Sequence, residues 1–127
     1  MTQLPLDAVA IRRLTEVGFL AAARREVRRA ERIFGALELS RPRASFPYVG
    51  LACAYLNAGR PEDALAVLDR GLRLADESQR RELHAFRGLA LHGAGRNAES
   101  IRALELAGDM PLASRMLGQR DPQLEGN

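Results

Sequence analysis

A pattern of small residues, turn glycines and apolar positions returns along this chain at intervals of 34 and then 36 residues. A period of that length confines the fold to a stack of similar units, each burying its apolar face against the next. The clearest unit lies in FPYVGLACAYLNAGRPEDALAVLDRGLRLAD, residues 46–76. Tyr48, Leu51, Ala52 and Tyr55 recur at helical spacing. Asn57-Ala58-Gly59-Arg60-Pro61 then breaks the helix: Gly59 suits a left-handed cap, and Pro61 opens the next helix with its φ already set. The second helix is predicted to bury Ala64, Leu65, Leu68, Gly71 and Leu72, and the small residues Ala52, Ala64 and Gly71 let the two helices approach closely.

A shift of 34 residues towards the N-terminus places Gly18 on Ala52, Ala30 on Ala64 and Phe34 on Leu68, with Arg25 where the turn glycine stands. A shift of 36 the other way places Gly88 on Ala52, Leu91 on Tyr55, Gly95 on Gly59, Ser100 on Ala64 and Leu104 on Leu68. Three units follow, at about 11–44, 45–78 and 81–114. Composition agrees. The 127 residues include 21 Ala, 20 Leu and 19 Arg but only ten Val, Ile and Thr together, which suits helices and leaves too few β-branched residues for a sheet. After the third unit, Asp109 is placed to cap a short helix from Met110 to about Leu117, whose Met110, Leu112, Met116 and Leu117 would cover the last apolar face. Residues 119–127 read as a disordered tail and 1–8 as an extended lead-in.

These residues resemble the tetratricopeptide repeat. The family's marks are a bulky residue, then Leu followed by Gly or Ala, then an aromatic in the first helix; a glycine turn; then Ala, an aromatic or Leu, and Ala in the second helix, with a closing Pro. Residues 45–78 match at nearly every place. Residues 11–44 keep the second helix and Pro42 but carry Arg25 at the turn, and residues 81–114 depart at Arg87, where Leu is usual. The resemblance implies an all-α, right-handed solenoid of three helix pairs plus a C-terminal capping helix, one domain over 1–118.

It also implies where a partner would lie. First-helix positions not used in packing line the concave side of such a stack. Here they give an apolar groove of Phe19, Ala22, Phe46, Val49, Cys53, Leu56, Ala85 and Leu89, with Arg12, Asn57, Glu82 and His92 at its rim. An exposed apolar groove calls for an amphipathic helix or extended apolar peptide to fill it; the plainer alternative is that these residues pack on one another. Some co-chaperones of this family hold a peptide's terminal carboxylate with Lys and Asn on the first helices. Thr15, Phe19 and Val49 stand at those places, so that clamp is absent.

The rest of the chain points away from catalysis. Arg25, Arg28, Arg29 and Arg32 would share one helix face, but Glu26 and Glu31 dilute the charge and no exposed aromatic joins it. It reads as a solvated outer face, with no nucleic-acid partner. His84 and His92 have no carboxylate or thiol at ligand spacing with both, so no metal is expected. His92, beside Gly93-Ala94-Gly95, reads as a helix-end residue, and Cys53 as a small apolar side chain. No phosphate loop or nucleophile triad is present. The chain is expected to be neither an enzyme nor a cofactor binder. Its net charge of +3 excludes nothing. A lone cysteine and an N-terminus without a basic–apolar signal suggest the cytoplasm, and no apolar run reaches the ~18–20 residues of a membrane span.

Within the repeat family, the chain looks like the small tetratricopeptide proteins of bacterial type III secretion. Glu16-Val17-Gly18-Phe19, the run from Ala30 through Ile33-Phe34 to Leu37, and Pro42 ahead of Pro47-Tyr48 carry this likeness. It implies a chaperone or Hrp-type apparatus protein that sequesters an amphipathic helix of a secreted needle, filament or translocator subunit, with a small co-chaperone and a homodimer as further candidate associations. The other reading is a structural scaffold or self-associating module without a chaperone role.

Overall fold

The computed structural model describes residues 6–120, which form seven helices and no strand: α1 (Ala8–Ala23), α2 (Val27–Ser40), α3 (Phe46–Asn57), α4 (Pro61–Leu74), α5 (Glu77–Gly93), α6 (Asn97–Ala107) and α7 (Pro111–Arg120). Each helix packs on the next in sequence. In addition α1 touches α3, α3 touches α5 and α5 touches α7, whereas among the described residues the backbones of α2, α4 and α6 do not approach one another. The odd-numbered helices therefore form a close inner layer and the even-numbered ones a splayed outer layer. This is the curvature of a helical-repeat solenoid, with a concave face on α1, α3 and α5.

Local chemistry sets the helix ends. Asp7, in extended backbone, accepts the Ala10 N–H at 2.8 Å and starts α1, so α1 begins at Ala8 rather than after a lead-in through residue 8; residues 1–5 of that lead-in lie outside the described residues. Gly59 and Gly95 end α3 and α5 at φ 74° and 77°. Arg25 takes the same left-handed conformation, φ 62°, at the same turn of the first pair. That conformation costs a side-chain-bearing residue about 1 kcal/mol. Arg25→Gly is therefore expected to raise stability by about that amount, read as a higher denaturant midpoint with an unchanged slope; a lower midpoint would mean that the arginine side chain holds the turn. Arg25 thus lies off helix α2, and the arginine face of that helix is Arg28, Arg29 and Arg32, all exposed.

Size complementarity holds the units together. The fully buried Phe34 ring lies over Gly18 of its own pair and Gly50 of the next: a Cβ added at Gly18 would stand 2.8 Å from Phe34 Cζ, and one at Gly50 would overlap the ring. Tyr48 sits on Gly71, where a Cβ would meet its ring at 2.7 Å, and Leu104 sits on Gly88 at 2.5 Å. Polar ties finish the packing. The Tyr48 hydroxyl donates to Pro42 O at 2.6 Å, and the buried Ser100 hydroxyl donates to Gly88 O at 2.7 Å. The Tyr55 hydroxyl donates to Glu31 Oε2 at 2.5 Å beneath the Arg60 guanidinium, which lies 4.7 Å from the Tyr55 ring centroid. Burial and the Glu31 hydrogen bond push the Tyr55 pKa up to about 12, so it stays a donor.

Outer helices are linked by side chains alone. Arg70 donates from Nε and Nη2 to the two carboxylate oxygens of Glu38 at 2.7 and 2.9 Å, joining α4 to α2, and Arg96 reaches Glu62 at 3.3 Å, joining the start of α6 to α4. Two expectations change at the C-terminal end. Helix α5 starts at Glu77, one turn before the unit boundary read at 81; its 17 residues against the 12 of α3, less a shorter linker before it, give the longer 36-residue spacing. Asp109 does not cap α7 but pairs with Arg81, and α7 runs from Pro111 to Arg120. Met110, Leu112, Met116 and Leu117 cover Ala85, Leu104 and Ala107 as expected, around a fully buried Ala113. The remaining tail, 121–127, lies outside the described residues.

Candidate protein-binding groove

On α3, Phe46, Val49, Cys53, Leu56 and Asn57 share one helix face, opposite the core residues Tyr48, Leu51, Ala52 and Tyr55. The same spacing puts Glu82, Ala85, Leu89 and His92 together on α5, and Arg12, Thr15, Phe19 and Ala22 on α1. The predicted groove therefore exists as one face on three adjacent inner helices, but its residues are not equally available. Ala22, Val49 and Ala85 are buried. Helices α1 and α3 close over the first two, and α6 and α7 over Ala85, so these three are packing residues with no surface to offer. Phe46, Cys53, Leu56 and Leu89 are half-buried. Cys53 and Leu56 lean on the main core, while Phe46 and Leu89 belong to neither core cluster. Phe19, 36% exposed, stands edge-on against Phe34 with ring centroids 5.2 Å apart.

The rim differs from the expectation in one respect. Arg12 and His92 are exposed, but the Asn57 amide donates to Ala22 O at 3.0 Å and so ties α3 to the end of α1 rather than facing a ligand. Glu82 accepts from the Ser45 hydroxyl at 2.6 Å, which fixes its carboxylate beside the groove. Burial, reinforced by the Glu82 charge, pushes the Cys53 thiol up to about 11. That leaves about 100-fold less thiolate at neutral pH than an ordinary thiol, partly offset by higher intrinsic nucleophilicity. Alkylation of the folded protein by iodoacetamide is expected to run about 10-fold slower than after denaturation; equal rates would show that Cys53 is freely exposed.

His84 Nδ1 is buried without a hydrogen-bond partner, and burial together with Arg80 and Arg87 lowers its pKa, so the ring stays neutral. It faces the outer side, in a hollow shared with Asp69, Arg87, Glu99 and Arg102, where Arg87 is already paired with Asp69 at 2.8 Å. Among the described residues no three His, Cys, Asp or Glu side chains converge as metal ligands, and no helix is long and apolar enough to cross a membrane.

Stacked helix pairs with an inner face of half-buried apolar side chains define a protein-interaction module. A family model described as a tetratrico peptide repeat matches residues 17–120. The chain belongs to the tetratricopeptide-repeat family, a protein-interaction scaffold that is typically non-enzymatic. No curated protein matches it.

Proposed function

We propose that this chain is a chaperone or apparatus protein of type III secretion. It would bind an amphipathic helix of a needle, filament or translocator subunit along the inner face and keep that subunit soluble in the cytoplasm before export. The observation that carries this reading is the row Phe46, Cys53, Leu56 and Leu89, half-buried and apolar, crossing α3 and α5 beside the fixed carboxylate of Glu82. An amphipathic helix supplies a stripe that such a row can desolvate, and its polar side can meet Glu82 and Arg12. Phe19, edge-on to Phe34, extends the row onto α1.

The test is affinity capture of the tagged chain from cells of its source, with partners identified by mass spectrometry. Near one-to-one recovery of a secreted needle, filament or translocator subunit, with or without a small co-chaperone, is the expected result. Recovery of envelope components alone would replace this reading with that of a fixed scaffold.

A further inference from the structure

The exposed apolar side chains of α1 form a face that the fold normally covers. Val9, Val17 and Leu20 are 58%, 41% and 49% exposed. One repeat later, Val17 corresponds to Leu51 and Leu20 to Ala54, both buried where α3 meets the preceding pair α1–α2. In the third unit the counterpart of Leu20 is Ala90, again fully buried. The α1 face thus matches a packing surface of the later repeats and is left open among the described residues.

The pattern on this face identifies what fits it. Val9, Arg13, Glu16 and Leu20 are spaced by four, three and four residues, the seam of a coiled coil. They are also symmetric: Val9 and Leu20 stand equally far from the point midway between Leu14 and Thr15, and so do Arg13 and Glu16. In an antiparallel pair centred there, Val9 lies opposite the partner's Leu20, and Arg13 opposite the partner's Glu16. Like residues never face each other, and both charges find the opposite sign. Arg13 and Glu16 are exposed, and among the described residues neither forms an ion pair within the chain. Self-complementarity of one patch is what a two-fold interface requires. We infer that α1 pairs antiparallel with α1 of a second copy of this chain, two-fold about the point between Leu14 and Thr15. This association uses the side of α1 that α3 does not, and it is independent of the groove reading.

One helix pair buries less than a standard interface, so self-association in the range of about 10–100 µM is expected. Sedimentation across that range tests it with charge variants on the exposed face. Arg13→Glu sets the introduced carboxylate against the partner's Glu16 on both sides of the two-fold point, and Glu16→Arg likewise sets arginine against arginine. Each alone should self-associate at least about 10-fold more weakly than the wild type. An equimolar mixture of the two single variants, and the double variant Arg13→Glu/Glu16→Arg, should both restore association, because every cross-pair is again of opposite sign. Circular dichroism melts verify that each variant is folded. A wild-type chain that stays monomeric through the range would overturn the inference. So would single variants that dimerise as well as the wild type, or association abolished by Phe46→Glu in the groove but untouched by the charge variants. A wild-type chain that is monomeric alone and sediments as a complex only with a co-chaperone on α1 would count against it equally.

Discussion

Replacing Gly50 with alanine is expected to destabilise the fold by about 3 kcal/mol, a fall in melting temperature on the order of 10 °C. The new methyl would occupy space already held by the Phe34 ring, at Cε1 and Cζ. Phe34 cannot yield, because it is fully buried and its other side rests against Gly18. A flexible side chain could swing aside; a ring clamped between two helices can only push them apart. The collision separates α2 from α3, so the damage falls on the junction between the first and second units. The Gly50→Ala/Phe34→Leu pair checks this cause. Leu68 stands at the place of Phe34 in the second unit, so leucine suits the position, and trimming the ring should return about half or more of the loss. A Gly50→Ala protein within about 1 kcal/mol of the wild type would mean that the junction relaxes freely.

The other large effect concerns binding. Leu56→Glu is expected to weaken capture of an amphipathic helical partner by at least about 100-fold, since it sets an unpaired carboxylate where an apolar stripe must be desolvated. Leu56 leans on the core, so part of its effect could fall on stability. Phe46→Glu and Leu89→Glu separate the two, because these side chains belong to neither core cluster. They should lower affinity by about 10-fold or more while leaving the melting temperature nearly unchanged. Undiminished capture by all three variants would remove the inner face from the binding site.

The repeat architecture was legible because it is written in local chemistry that recurs. Gly59 and Gly95 mark the turns, and even the substituted Arg25 keeps the left-handed backbone its neighbours have. The capping residues of α7 were legible as an apolar run beyond the last unit. Less legible were features that depend on distance between units. Periodicity places Ala22, Val49 and Ala85 on the groove face, yet it carries no measure of how closely α1 approaches α3, or α7 approaches α5, and those approaches bury all three. Gly50 reads in isolation as a weak helix residue; its use as the seat of a ring sixteen positions away appears only in three dimensions. Asp109 looked like a helix cap because the partner that takes up its carboxylate, Arg81, lies 28 residues earlier and is silent in sequence.

The stack resists bending by two kinds of physics. Between inner and outer helices, Phe34 seated on Gly18 and Gly50, and Tyr48 seated on Gly71, set a hard stop, since steric repulsion rises steeply with any closer approach. Along the outside, among the described residues, the ion pairs Glu38–Arg70 and Glu62–Arg96 tether α2, α4 and α6. Such tethers stretch at modest cost and slacken as mobile ions screen them over a Debye length of about 8 Å at physiological salt. The stack therefore combines steric contacts that do not respond to salt with outer ion pairs that do. Raised ionic strength is therefore expected to loosen the contacts among the outer helices while leaving the packed residues of the inner face in place.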